Sequence, residues 1–304
     1  MSENSWIPMR REEIDSRTMD IIKGFIDEVP NLPVHVHKLV DIVSDFESDS
    51  LEVANAASAD PGLVSKILRT VNSSYYGLSH KTDNIHFAIV LLGFTEVRKI
   101  AIQTSFSNMF KEGKGYEGYE TTGLWEHSYL VSVCAETIGR TSDTKSAGEL
   151  LTFGILHDIG KFVLFRLAIF MKKNKIAPYK SKDAAQLSFT SEKEEALFNI
   201  NHTIVGSMLA KKWELSDRIS CILEYHHHPS FRGTDSIPPE YLNDIAAVSI
   251  SDAIVNHING KECHPAPAPE YFELLGLPTS LKDCITIELK TKLEDAQDFV
   301  KALK

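Results

Sequence analysis

Apolar side chains return every three or four positions along most of this chain, a spacing that lines them up on one face of an α-helix. Leu63, Ile67, Leu68 and Val71 form one such face, Leu124, Val131, Cys134 and Ile138 a second, and Val205, Met208 and Leu209 a third. Strict apolar-polar alternation, the mark of a half-buried strand, is scarce, so the pattern predicts an all-α fold. Local signals agree. Asp60-Pro61 opens a helix, Gly139 offers a stop, and Ser191 with Glu194 has the spacing of a capping box ahead of Ala196 and Leu197.

Breaks in the pattern divide the chain. Lys111 to Gly123 carries Gly113, Gly115, Gly118 and Gly123 and reads as a loop between two helical lobes, residues 15–115 and 120–260. Lys172 to Lys193, rich in Lys and Ser around Pro178, reads as a solvated insertion. The run His264-Pro265-Ala266-Pro267-Ala268-Pro269 cannot continue a helix, and it sets off a tail, residues 261–304, expected to hold one or two helices. In the first lobe His35 and His37 flank the periodic stretch Val34 to Phe46 and read as surface residues, and Asn72 to Gly77 reads as a turn.

Composition narrows the function. The chain of 304 residues is 43% hydrophobic and 24% charged, the balance of a folded globular protein, which excludes wholesale disorder. Its 42 acidic against 32 basic side chains give a formal charge of -10, which disfavours nucleic acid or an anionic membrane as a partner. An anionic ligand must then be met by local positive charge. Cys134, Cys221, Cys263 and Cys284 contain no C-x-x-C pair and read as free thiols of a reducing compartment. The first residues lack the pattern of a secretory signal, and the apolar run Phe162 to Met171 is broken by Arg166 and falls short of the roughly 20 residues that span a bilayer. A cytoplasmic location is expected.

The histidines carry the chemistry. Leu150 to Phe170 reads as one long apolar helix, yet His157 and Asp158 stand in its middle with Lys161 one turn on. A buried carboxylate costs several kcal/mol unless it is paired or bound to a cation. Taken alone, the pair has a plain reading, Asp158 neutralised by Lys161 or by backbone. Further positions change the balance. His127 shares a face with Val131, Cys134 and Ile138, and His202 lies above Val205 and Leu209, with Gly206 leaving room for a close approach. His226, His227 and His228 end a helix before Pro229, and Asp252 sits in the apolar stretch Ile245 to Ile258. Five helices thus turn imidazole or carboxylate toward one interior. A metal centre satisfies groups that packing would leave unpaired, and imidazole with carboxylate suits iron, manganese, nickel or zinc.

His127, the pair His157-Asp158 and Asp252 stand in the order H…HD…D of the HD-domain superfamily of metal-dependent phosphohydrolases, and Leu156-His157-Asp158-Ile159-Gly160-Lys161 resembles its central motif. Leu32-Pro33, Asp60-Pro61-Gly62-Leu63, Lys66-Ile67-Leu68-Arg69, Val71-Asn72-Ser73, Ala88-Ile89 and Leu92-Gly93 resemble the HDOD family, a bacterial signalling branch of that superfamily. The resemblance spans about residues 20–260 and implies that the second lobe is an HD-type bundle. It implies a four-ligand set of His127, His157, Asp158 and Asp252, with Asp158 bridging. His202, His226 and His227 match the extra histidines of related HD-GYP phosphodiesterases, so two divalent transition-metal ions, iron foremost, are expected. The chain departs from those enzymes after His228, where Pro229-Ser230-Phe231-Arg232-Gly233 replaces the GYP signature, so hydrolysis of cyclic di-GMP is not implied. Gly123, one turn before His127, stands where a third metal would want a carboxylate.

In such a centre Asp158 and Lys161 are the expected catalytic residues, Lys161 donating to a phosphoryl oxygen; Arg232 reads more simply as a solvated loop arginine. The implied partners are a phosphorylated small molecule or nucleotide and other signalling proteins. Oxygen chemistry at a diiron site, as in a distant branch of the superfamily, uses similar ligands. A non-catalytic output or scaffold module with a structural metal is the alternative.

Overall fold

In the computed structural model the described residues are 8–30, 54–55, 57–58, 61–73, 76–94, 96–97, 100–101, 104, 121–142, 144, 147–176, 190–228, 237–261, 263 and 265–302. All regular structure among them is helical. In chain order the helices are α1 (Ser16–Asp27), α2 (Pro61–Val71), α3 (Ile85–Leu92), α4 (Thr121–Thr141), α5 (Ala147–Leu156), α6 (Ile159–Lys173) and α7 (Ser191–Phe198). They continue with α8 (His202–Lys212), α9 (Asp217–Tyr225), α10 (Leu242–Ile258), α11 (Pro269–Leu274), α12 (Leu281–Cys284) and α13 (Ile287–Ala302). Among the described residues no helix is long and apolar enough to cross a membrane.

The chain forms two compact units, Pro30–Gly115 with Ala302–Lys304, and Met1–Val29 with Tyr116–Lys301. Helix α1, which the sequence pattern groups with the first lobe, therefore belongs with the second. Asp15 starts it by accepting from the Thr18 amide at 2.9 Å, and its buried face, Ile22 and Ile26, packs with α6 and α8. At its other end the Lys212 ammonium donates to the carbonyls of Ile26, Asp27 and Val29, partners that the end of a helix otherwise lacks.

The smaller unit packs α2 on α3, through Leu63, Ile67 and Val71 on one and Ala88, Ile89 and Leu92 on the other. Asn72 closes the turn foreseen after α2, with its side chain bonded to both the amide and the carbonyl of Thr82. Val34 to Phe46, with His35 and His37, lies outside the described residues.

The larger unit is built on α4, α5 and α10, with α8, α6 and α9 packed alongside. Helix α10 is buried from Asp244 to Val255, as suits a helix apolar on every side. A Cβ added to Gly154 would stand 2.5 Å from the Ser132 Cα, so α4 and α5 touch backbone to backbone there. Gly139 lies within α4, which runs on to Thr141, and so marks close packing rather than the helix end the sequence pattern suggests. Thr121 to Gly123 likewise belong to α4 and not to the preceding loop. Among its described residues the tail holds three helices, α11 to α13, where one or two were expected.

Candidate metal centre

The apolar run 150–170 is two helices, not one, and the break falls on the chemistry. The His157 amide still donates to the Phe153 carbonyl at 2.9 Å, closing α5, and the Lys161 amide donates to the Asp158 carbonyl at 3.0 Å, opening α6. Asp158 is the N-cap of α6, with φ -97° and ψ 8°, where the positive end of the helix favours a carboxylate. Gly160 brings this junction against α8. A Cβ on it would stand 2.0 Å from the His202 carbonyl oxygen and 2.6 Å from the Gly206 amide nitrogen. The room that Gly206 was expected to provide is used by the backbone of Gly160, and this crossing sets His202 beside Asp158.

Three imidazoles are turned by their outer nitrogens. His157 Nδ1 lies 2.7 Å from the Gly154 carbonyl oxygen, His226 Nδ1 lies 2.9 Å from that of Leu223, and His202 Nδ1 lies 2.6 Å from Glu194 Oε2. Carbonyl and carboxylate oxygens only accept, so each neutral ring carries its proton on Nδ1 and presents a lone pair at Nε2. Those Nε2 atoms face one another: His202 and His226 stand 3.4 Å apart, and His202 Nε2 is 3.1 Å from Asp158 Oδ1. His157 Nε2 is 3.4 Å from Asp158 Oδ2 and 3.9 Å from Asp252 Oδ1. His127 Nε2 is 2.8 Å from Asp252 Oδ1 and 3.7 Å from Asp158 Oδ2, while His227 Nε2 is 3.8 Å from Asp252 Oδ2. Donor atoms of Asp158, His202, His226 and His227 lie within 4.8 Å of one another, and so do those of His127, His157 and Asp158. Asp158 is common to both groups.

The seven residues singled out from the sequence as ligands therefore converge. His157, Asp158, His202 and His226 are essentially inaccessible, Asp252 and His227 nearly so, and the His127 side chain is 15% exposed. Two buried atoms fit a cation in particular. His157 Nε2 and Asp158 Oδ1 have no hydrogen-bond partner among the described residues, a costly state for a lone-pair nitrogen and a carboxylate oxygen. Among the described residues three carboxylates, Asp158, Asp252 and Glu194, are buried here against one ammonium, that of Lys161. Nitrogen and oxygen donors with excess negative charge fit divalent metal ions.

The titration behaviour follows. Burial pushes His226 well below its ordinary pKa, with His227 and His157 adding to the effect, and pushes His227 down to about 3. Both rings are neutral and ready to ligate. Burial works against the charge on Asp158, yet His157 and Lys161 outweigh it and hold the carboxyl well below its usual range. Asp252 is lowered likewise, its burial outweighed chiefly by the hydrogen bond from His127. For His202, burial opposes protonation, but the Glu194 carboxylate overrides it and raises the pKa.

Lys161 donates to Asp158 Oδ2 at 2.6 Å, and its side chain is 16% exposed. Burial would lower its pKa, but Asp158 and Glu194 raise it above the ordinary value, so the ammonium stays charged. Arg232 lies outside the described residues.

Glu194 is a residue the sequence pattern misassigns. It is not half of a capping box: Thr190 is the N-cap of α7, with no side-chain cap bond, and Glu194 Oε2 instead accepts from both the amide and Nδ1 of His202. A carboxylate behind a ligating histidine fixes its tautomer and raises its basicity. Asn256 supports Asp252 in a similar way, donating to Oδ1 at 2.8 Å. The one available signal was spacing: Glu194 falls eight residues before His202 at the start of the next helix.

The HDOD domain family model matches residues 29–229 of the chain. The protein belongs to the HDOD family. Six of the seven clustered candidate residues lie within that match, and Asp252 lies beyond it. The fold of this HDOD chain is similar to that of an HDOD domain protein of unknown function from Geobacter sulfurreducens, at 22% identity and a TM-score of 0.68, covering 94% of this chain and 97% of that one. It is also similar to a protein of Shewanella amazonensis SB2B provisionally named as a phosphohydrolase, at 20% identity and a TM-score of 0.61, covering 93% and 98%. A protein of Marinobacter aquaeolei VT8, provisionally named for signal transduction, matches at 16% identity and a TM-score of 0.73, covering 99% of this chain and 68% of that one. In sequence the HDOD chain is 20% identical over 264 residues to an uncharacterized protein of Treponema pallidum (strain Nichols), and spans 47% of that relative's length.

Proposed function

We infer that this HDOD protein holds two divalent transition-metal ions, iron foremost, at the centre bridged by Asp158, and acts in signalling by hydrolysing a small phosphoester. The observation that carries this reading is the pair of buried, unpartnered atoms, His157 Nε2 and Asp158 Oδ1, each facing further donors. His127, His157, Asp158 and Asp252 would hold one ion, and Asp158, His202, His226 and His227 the other. Such a pair lowers the pKa of bound water and neutralises the oxygens of a phosphate. The name of the Shewanella neighbour agrees with this chemistry.

The protein's own groups have distinct tasks. Glu194 and the carbonyls of Gly154 and Leu223 hold three rings with Nε2 inward. Lys161 fixes Asp158 with one of its protons and has two others to offer a phosphoryl oxygen, a contact that gains strength as charge develops there. A cavity of about 180 Å³ reaches His227, with Met9, Arg11, Thr203 and Glu224 among its walls. Arg10 and Arg11 line that cavity, Arg11 paired with Glu224, and Lys161 stands at the centre itself.

Purified protein loaded with iron, manganese, nickel or zinc in turn should cleave a generic phosphodiester or nucleotide substrate, and Asp158→Ala should abolish the cleavage. Equal rates for the two proteins would sink the enzymatic reading. One observation favours a second reading, a scaffold module with a structural metal: the ligands are almost wholly enclosed. Partner capture from lysate that requires metal, with no hydrolysis by any loaded form, would establish that alternative.

A further inference from the structure

Residues 8–12 line the cavity that reaches His227, together with Thr203, Ile204, Glu224 and Tyr225. Their attachments to the helices beneath are polar. The Met9 amide donates to Glu195 Oε1 at 2.7 Å, and the Arg11 guanidinium donates to both oxygens of Glu224, at 3.1 and 2.7 Å, and to Ser207 Oγ at 3.2 Å. None of residues 8–13 is buried. The first buried residue is Ile14, and Asp15 behind it accepts from Asn199 Nδ2 at 2.7 Å. The segment is hinged there, with no buried side chain to hold what precedes the hinge. Its grips stand beside the metal donors: Glu195 follows Glu194, which holds His202, Ser207 shares α8 with His202, and Glu224 comes two residues before His226. His127 and Lys161, the partly exposed residues of the centre, do not line this cavity. The cavity therefore leads to the half of the centre formed by His202, His226 and His227.

We propose that residues 8–13 are a strap over the solvent route to His202, His226 and His227, with the Arg11–Glu224 pair as its latch. An ion or ligand enters or leaves that half of the centre when the latch opens. This adds regulation to the metal site proposed above and rests on it. The latch suits reversible closure, because the Arg11 and Glu224 side chains are 27% and 17% exposed and water and salt compete for the pair. Within the cavity walls Arg10 and Arg11 are matched by Glu12 and Glu224, so the protein's own charges hold the strap down. Opening breaks these polar contacts and strips no buried side chain from the segment, so the two forms differ by little free energy, the condition under which a ligand can bias a gate. Residues 8–13 lie outside the residues 29–229 that the HDOD model matches.

Zinc exchange by the full chain, followed with an excess of chromogenic chelator, tests this. Arg11→Ala and Glu224→Gln should each speed one phase of zinc release about two- to five-fold, the shift in open population expected from losing a partly exposed pair, and the double variant should gain no more than either single one. Zinc uptake should speed by the same factor, because a gate changes both rates and leaves affinity alone, whereas a loosened donor set speeds release only. Raising salt should speed that phase in the parent and not in Arg11→Ala. Arg140→Ala, which breaks the pair with Glu136 within α4, is the control and should exchange zinc as the parent does. In the metal-free chain the Met9 amide should exchange its hydrogen faster in Arg11→Ala than in the parent. Unchanged zinc rates in Arg11→Ala, or faster release without faster uptake, overturn the strap and leave the His/Asp centre standing. A parent chain that takes up no zinc overturns both.

Discussion

Two of the places where the larger unit buries carboxylates are treated differently. At one, the Arg218 guanidinium bonds Asp244 Oδ2 through Nε and Nη2 at 2.8 and 2.6 Å and Glu149 Oε2 through Nη1 at 2.5 Å, tying α9 to α10 and α5. Arg218 also lies over the Phe153 ring, 5.2 Å from its centroid. There one guanidinium meets the one carboxylate that is fully buried, Asp244, while Glu149 is about a third exposed and water shares its charge. At the other, among the described residues, Asp158, Asp252 and Glu194 have one ammonium near them, that of Lys161, which bonds Asp158, and the Nε2 atoms of His202 and His226 face each other. A fold that can complete an ion cluster with arginine leaves this one short of positive charge. The lesson is that burial of charge by itself says little about function. What marks the centre is the deficit.

The largest effect expected from this contrast is on metal content. Asp158→Ala should lower it from about two ions per chain to less than one, because the carboxylate serves both donor groups. Arg218→Ala should leave metal content intact and destabilise the chain by about 3 kcal/mol, since it removes the guanidinium that bonds the buried Asp244 twice. Elemental analysis and urea unfolding of both variants read the two outcomes. Metal loss in Arg218→Ala, or full loading in Asp158→Ala, would erase the distinction.

Gly160→Ala sharpens the comparison next. Its methyl group has no room against the α8 backbone, so a loss of about 1–3 kcal/mol is expected, together with weakened metal binding as α6 moves off α8. Gly206→Ala is the control, because its nearest neighbours would stand at 3.4 Å or more and the change should be mild. Thermal unfolding with and without chelator compares them. Metal at 100 times its dissociation constant should stabilise the parent by about 2.7 kcal/mol, and chelation should remove that gain.

In the metal-free protein the two clusters should also differ in acid. His226 is held well below its ordinary pKa and His227 at about 3, so the unfolded chain binds more protons than the fold below about 6.5. Their contribution is complete above that pH and declines as pH falls toward about 3. His202 acts the other way, since its raised pKa contributes below about 6.5 and is lost on raising pH. Two groups against one leave a net loss on acidification. Unfolding midpoints that stay flat from neutral pH to about 4 would contradict this. The smallest effect expected is from Arg11→Ala, which breaks a partly exposed pair with Glu224 at 2.7 Å and should cost about 0.5–1 kcal/mol without changing metal content.

Much of this was written in the order of residues. The helical class follows from spacing, because a period of three to four positions fits no other regular structure. The ligands were legible because imidazole and carboxylate in apolar stretches such as Ile245 to Ile258 contradict their surroundings. Glu194 was not. It imitates a capping residue in its local pattern, while its carboxylate holds His202. The break at His157-Asp158 was hidden as well, since the stretch is predominantly apolar on both sides of the pair and carries no glycine or proline at the junction itself.

Periodicity, then, settled the class of fold and nominated donors for a metal, because both depend on relations within a few residues of one another. Tertiary packing decided how those donors meet: the backbone crossing at Gly160, the turning of three rings by Gly154, Leu223 and Glu194, and the shortfall of positive charge around Asp158. These are sums over groups distant in the chain, and only their arrangement in space determines whether a buried charge is paired by the protein or left for a cation.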